Sequence, residues 1–198
     1  YIRGGYVHQF DTDLNDGGKF DVDRVFVQGG VSYSPGPRRR IAFAVGAGRD
    51  RYGFSANPSF VNQPWERVDQ LRFSAPVTWA FDDQWTLFAI PTLRFYGESG
   101  ASSGDSATGG ALAGASFKVN DRLTIGPGIG VLSQLEDNAS IFPILILDWK
   151  ITDRLSLETG RGLAATQGPG LDFNYRLSDA WRLGLGGRYE SIRFRLDY

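Results

Sequence analysis

Apolar and polar positions alternate along most of this chain, and a period of two predicts strands. The clearest run covers residues 70–81. Leu71, Phe73, Ala75, Val77, Trp79 and Phe81 form one face; Gln70, Arg72, Ser74, Pro76, Thr78 and Ala80 form the other. Successive side chains of a strand point to opposite sides of a sheet, so this segment has an oily side and a polar or small side. Residues 40–50 repeat the pattern with Ile41, Phe43, Val45 and Ala47 as the apolar set. So do residues 123–131 (Leu123, Ile125, Ile129, Val131), 171–177 (Leu171, Phe173, Tyr175, Leu177) and 181–189 (Trp181, Leu183, Leu185, Tyr189).

Two kinds of connection alternate between these strands. Pro35-Gly36-Pro37, Asp82-Asp83-Gln84, Asn120-Asp121-Arg122, Thr152-Asp153-Arg154 and Ser178-Asp179-Ala180 carry residues that favour tight turns. Between them lie longer polar stretches at 11–19, 51–66, 98–106, 135–140 and 163–168. Short turns at one end and long loops at the other are the pattern of an outer-membrane barrel. About eleven strands follow, each of roughly eight to fourteen residues, long enough to cross a bilayer when tilted. The expected fold is an all-β, antiparallel up-and-down transmembrane β-barrel of about 10–14 strands, forming one domain over residues 1–198.

The aromatic residues sharpen this expectation. Tyr33, Trp79, Phe81, Trp85, Phe117, Trp149, Tyr175 and Trp181 lie close to the short turns, on the apolar faces of their strands. Rings at one level of a barrel form a girdle at the membrane–water interface. Pro76, Pro91, Pro127 and Pro143 fall inside strands, where each removes a ladder hydrogen bond and calls for a bulge or kink. The alternation also slips by one near Glu190, after which Ile192, Phe194, Leu196 and Tyr198 form the apolar set. Closed bacterial barrels have even strand numbers, so an odd count leads to the expectation that the natural chain continues beyond Tyr198.

Composition agrees with strands rather than helices. The chain has 26 glycines and 14% aromatic residues, and glycine is costly inside helices. No run approaches the 18 apolar residues of a membrane helix. With 21 basic and 22 acidic side chains, no global basic field exists to draw nucleic acid. There is no cysteine, and there is no methionine to mark a translation start, which points to a removed leader or a trimmed chain.

Several segments carry a resemblance. These are residues 121–128 (DRLTIGPG), Phe142-Pro143-Ile144-Leu145, 148–152 (DWKIT), 157–162 (LETGRG), 167–171 (QGPGL) and 193–197 (RFRLD). Together they resemble a family of bacterial outer-membrane β-barrel proteins of uncharacterised function, most densely from Arg72 onward. The resemblance implies a barrel fold, an outer-membrane location and further strands after residue 197. It implies no catalytic residues.

Candidate chemistry is sparse. His8 is the one histidine, so any histidine-dependent hydrolase would have to use it, and no nucleophile motif lies near it. A solvated or lumen-facing role is the default for His8. Asp11, Asp13, Asn15 and Asp16 have a spacing like that of a calcium loop. Position six is Asp16 rather than glycine, however, and position twelve is Val22 rather than glutamate. No metal or cofactor is expected. Glycine-rich runs such as residues 126–130 lack the lysine and following helix of a phosphate loop.

The alternation assigns Arg40, Asp50, Arg72, Arg94, Glu98, Lys118, Asp148, Lys150, Glu158, Asp172, Arg176, Arg182 and Arg188 to the lumen. Charges of both signs there can pair and fill the interior, or line a narrow path; the basic excess points to anions. The leading expectation is a non-enzymatic narrow channel or structural component of the outer membrane, in contact with its lipid. Association with copies of itself or with other membrane proteins stays open. The alternatives are a membrane-embedded enzyme acting on lipid or peptide, and a soluble barrel binding an apolar ligand.

Overall fold

The computed structural model describes residues 1–14, 17–55, 65–102, 104–135, 137–159, 170–188 and 194–197. Their regular structure is all β. The strands are β1 (Ile2–Asp13), β2 (Lys19–Gly36), β3 (Arg39–Ser55), β4 (Arg67–Ser74), β5 (Val77–Ala80), β6 (Trp85–Glu98), β7 (Ala107–Asn120), β8 (Leu123–Gln134), β9 (Asp137–Lys150), β10 (Leu155–Thr159), β11 (Gly170–Arg176) and β12 (Arg182–Arg188). They form one sheet in which sequence neighbours pair antiparallel, except that β5 shares the place of β4 between β3 and β6. Twelve strands therefore occupy eleven positions of an up-and-down sheet.

Proline explains the split. The Ala75 amide donates to the Pro91 carbonyl at 3.1 Å, and the Ala42 amide donates to the Pro76 carbonyl at 2.8 Å. In a strand the nitrogen and oxygen of one residue face the same neighbour. Pro91 therefore lacks its amide on the β4–β5 side, and Pro76 lacks its amide on the β3 side. The other two interior prolines break nothing in register. The β7–β8 ladder skips Ala115 and Ser116 opposite Pro127 and Gly126, then resumes at Phe117–Ile125 without a shift. Pro143 stays paired with Ile129. On β9 the Leu147 amide donates to Thr159 Oγ1 at 2.9 Å, so the odd-numbered nitrogens face β10 and Pro143 costs β8 no bond.

Four of the five short turns share one device. Asp82 Oδ1 accepts the Gln84 and Trp85 amides at 2.8 and 2.6 Å, and Asn120 Oδ1 accepts the Arg122 amide at 2.8 Å. Thr152 Oγ1 takes the Arg154 and Leu155 amides at 3.2 and 3.0 Å, and Ser178 Oγ takes those of Ala180 and Trp181 at 3.3 and 3.2 Å. Each first turn residue thus satisfies backbone donors that the reversal would orphan. At the other end, the expected long connection over 135–140 is a tight one, because Gln134 already pairs with Asp137. The expected loops at 51–66 and 163–168 lie wholly or partly outside the described residues, as does the parity slip at Glu190.

The sheet is curved. Arg195 joins Gly97 in a parallel bridge, with its amide on the Tyr96 carbonyl and its carbonyl on the Glu98 amide. The Tyr96 amide faces β7 through the Ser106 carbonyl, so this segment lies on the β7 side of β6. On a flat sheet that place is five strand spacings, about 24 Å, from β12. The seven peptide units from Arg188 to Arg195 reach about 23–25 Å, and only when fully extended. Asp50, Val68 and Leu112 are nearly fully buried on one face of this single sheet, a face that a flat sheet would leave open.

Candidate functional site

Curvature gives the sheet an inner and an outer face, and the two differ sharply in burial. Val22, Ala44, Val68, Ile90 and Leu112 are buried on the inner face, Val68 and Leu112 almost completely. Among the described residues thirty-three large apolar side chains are instead exposed, including Val31, Leu145 and Leu185 at 71%, 56% and 78%. A soluble domain shows the reverse proportion.

The exposed set is ordered. Tyr33, Ile41, Val77, Ala89, Ala113, Ile129 and Pro143 pair in sequence from β2 to β9, so one apolar row crosses the outer face without a polar residue. Nearer the short turns stand the aromatics expected as a girdle. Trp79 packs on Phe81 at 6.0 Å between ring centres and Trp85 on Phe117 at 4.9 Å; Tyr33, Trp149, Tyr175 and Trp181 are exposed at the same end. The Arg39 guanidinium lies 5.5 Å from the Trp79 ring centre. Toward the long loops the outer face turns polar: Asp23, Arg51 and Arg67 stand in one row and Arg49 and Asp69 in the next.

Several of the charges that the alternation assigns to the lumen have register partners or hydrogen bonds among the described residues. Arg72 lies opposite Arg94, and Arg40 donates to Ser32 Oγ at 3.1 Å. Asp50 has no exposed surface. Arg24 Nε donates to its Oδ1 at 3.0 Å, and the Tyr96 hydroxyl donates to its Oδ2 at 2.5 Å. Beside this network Arg3 donates to Gln28 Oε1 at 2.8 and 3.2 Å, and Gln28 donates to the Tyr1 hydroxyl at 2.9 Å. Above it, toward the long loops, Tyr52, Trp65 and Phe194 pack together, with ring centres 5.4–6.0 Å apart; Phe54 meets Trp65 at 5.0 Å and Tyr96 meets Phe194 at 5.8 Å. The inner face of the first strands is thus filled.

From β7 to β11 the charges fall into bands. Lys118, Thr124, Asp148, Glu158 and Asp172 pair in sequence, which sets three carboxylates on adjacent strands. Asn174 donates to Glu158 Oε1 at 2.8 Å. Nearer the short turns Lys150 shares a row with Ser156 and Asn174, and Arg176 lies opposite Arg182. A cavity of about 600 Å³ opens between these bands, lined by Asp148, Lys150, Glu158, Asn174, Arg176 and Arg182. Arg188 pairs in backbone register with Gly170, and Glu98 with Val68. Among the described residues no three histidine or acidic side chains form a metal-binding group.

His8 lies on the outer face rather than in a lumen, because its register partner is Asp23. Its Nδ1 is 2.8 Å from Asp23 Oδ1, which also accepts from the Tyr6 hydroxyl, and its ring meets Phe10 edge-on at 4.8 Å. Tyrosine, aspartate and histidine alone supply no activated serine or cysteine. Asp11 and Asp13 close β1, while Asn15 and Asp16 lie outside the described residues. Arg3, Arg24 and Tyr96 complete the inner face without having been singled out from the sequence. Arg24 alternates with Val22 and Phe26 in a strand whose two faces both mix polar and apolar residues, so period-two reading gives it no side.

No family model, curated protein or solved structure matches this chain.

Proposed function

We propose that this chain is an integral β-barrel protein of a bacterial outer membrane, without catalytic machinery. Its outer face would be covered by lipid, and its inner face would act as a packed scaffold. The apolar row from Tyr33 to Pro143, bounded by rings at one end and by Asp23, Arg49, Arg51 and Asp69 at the other, carries this reading. On β6 the apolar outer residues run from Trp85 to Phe95, eleven positions, which matches the 9–11 residues of a tilted membrane strand. The short turns would lie on the periplasmic side and the long connections outside.

Lipid contact is testable with the native tryptophans. In bilayers of lipids brominated along the acyl chain, Trp79, Trp85 and Trp149 should be quenched, while Trp65, packed against Phe54 and Phe194, should not. A chain that folds and stays monodisperse without detergent or lipid would overturn the reading.

The charged cavity between β9 and β12 favours a second, narrower function. With carboxylates in one band and cations in the next, it would pass water and small ions rather than a solute of one charge sign. Planar-bilayer recording of the folded chain should show small, weakly selective conductance. No conductance at all would leave the scaffold reading and remove the channel.

A further inference from the structure

An outer-face groove of about 1150 Å³ lies where the apolar belt meets the polar rows near the long loops. Its floor is Val25, Val27, Leu71, Phe73 and Phe95, and its polar wall includes Arg49, Arg51 and Asp69. An apolar floor beneath a charged wall suits a molecule with a hydrocarbon chain and a polar head.

The charges select the sign of that head. Asp69 is already engaged: Arg49 donates to both its oxygens at 2.6 and 3.2 Å, and Ser99 donates at 2.6 Å. Asp23, opposite Arg51 in register, accepts from Tyr6 and lies 2.8 Å from His8. Arg51 and Arg67 then face each other directly across the β3–β4 ladder. Like charges directly opposite on one face destabilise a sheet, and the nearby carboxylates, Asp23 by Arg51 and Asp69 by Arg67, are each already bonded to other groups. Arg67 Nε is in addition buried without a hydrogen-bond partner, a donor that folding leaves unmet.

We propose that this groove binds a phosphate-bearing lipid of the leaflet at the long-loop end. The phosphate would sit at the groove's edge, between Arg51 of its wall and Arg67, which stands opposite Arg51 just outside the lining, and an acyl chain would lie along Val27, Leu71 and Phe73. The inference rests on the membrane reading above, since only a chain set in lipid offers this face to such a molecule. A free phosphate is the weaker fit, because it would leave the apolar floor uncovered. Two guanidiniums also match phosphate geometry through paired N–H donors.

The test is native mass spectrometry of the full chain folded in detergent, with phosphatidic acid and phosphatidylcholine as competing probes. The wild type should retain phosphatidic acid in preference, and R51Q/R67Q should lower that preference roughly tenfold. K150Q/R182Q, which removes two inner-face cations, should leave it unchanged. Millimolar inorganic phosphate should not displace the lipid. Equal preference in the wild type and R51Q/R67Q overturns the proposal, as does displacement by inorganic phosphate alone. Urea denaturation of R51Q/R67Q guards against misreading, since the variant should be at least as stable as the wild type. A chain that is monodisperse without detergent defeats the membrane reading itself. A chain that needs detergent but shows no lipid preference defeats only the groove.

Discussion

Arg24 and Asp50 sit in register on β2 and β3, and the Arg24 guanidinium donates to a carboxylate that has no surface left to water. Tyr96 reaches the same carboxylate from β6, across β4. Removing one partner of a buried ion pair leaves the other stranded. Asp50→Ala should therefore cost about 3–5 kcal/mol of folding stability. Tyr96→Phe removes one hydrogen bond to a charged group and should cost about 1.5–3 kcal/mol. Urea titration in detergent, followed by gel mobility, measures both. A loss under 1 kcal/mol for Asp50→Ala would mean that the inner face is wetter than the network implies.

The two faces should respond oppositely to polarity. Val77→Arg or Leu145→Arg puts a charge on the exposed apolar outer face and should cost about 2–4 kcal/mol in lipid. Ser74 is buried on the inner face and its hydroxyl has no partner, so Ser74→Ala should be neutral or stabilising. Similar costs at all three positions would contradict the assignment of faces. Reversible unfolding from lipid vesicles reads all three.

Close backbone contact makes a third prediction. A Cβ on Gly126 would run into the Ala115 carbonyl oxygen, which belongs to the backbone and cannot swing aside. Gly126→Ala should cost at least 1–3 kcal/mol, the range of core overpacking. Gly187 has nothing within 4 Å of the same position, so Gly187→Ala should leave stability within about 0.5 kcal/mol. Folding yield and denaturation midpoint of the two variants give the comparison.

The short turns predict an acid response. The Trp85 and Gln84 amides hold the Asp82 carboxyl below its ordinary value of 3.8, and the Lys118 ammonium does the same for Asp121. A lowered folded-state value means that the stabilisation is present above the unfolded value and disappears as pH falls through the folded one. The protein should show no such dependence from pH 7 to about 5, then weaken below about pH 4. Asp82→Asn keeps an acceptor oxygen but loses the charge, so its denaturation midpoint should fall less steeply in that acid range. An unchanged slope would mean that the turn carboxylate does not contribute.

The alternation made the middle of the sheet readable and its long-loop end unreadable, for a physical reason. Between Ile41 and Ala47 the outer side is apolar and the inner side small or polar, so period two shows plainly. Beyond Asp50 the polarity inverts: Arg49 and Arg51 stand outside, while Tyr52 and Phe54 turn in to meet Trp65 and Phe194. A reader following the oily side sees the strand stop at Asp50, whereas β3 runs on to Ser55. The same inversion put Arg51 inside an expected loop and left Arg67 just past its end. Proline misled in the other direction. Each interior proline suggested a bulge, but only Pro76 interrupts a strand, because Pro143 turns its missing amide away from β8 and Pro127 costs pairing without shifting register. The charges of β9 to β12 were legible singly, but their separation into bands depends on registers that no single strand encodes.

The break at Pro76 makes the sheet softest at the level of Ala75 and Pro91, in the row next to Val77. A ladder missing amides on both flanks of one strand resists bending less than its neighbours do, so tight curvature can gather there as a crease. Backbone amide exchange should then be fastest at Ala75 among the mid-strand positions of the first six strands, with the crease breathing while the rows beside it stay shut.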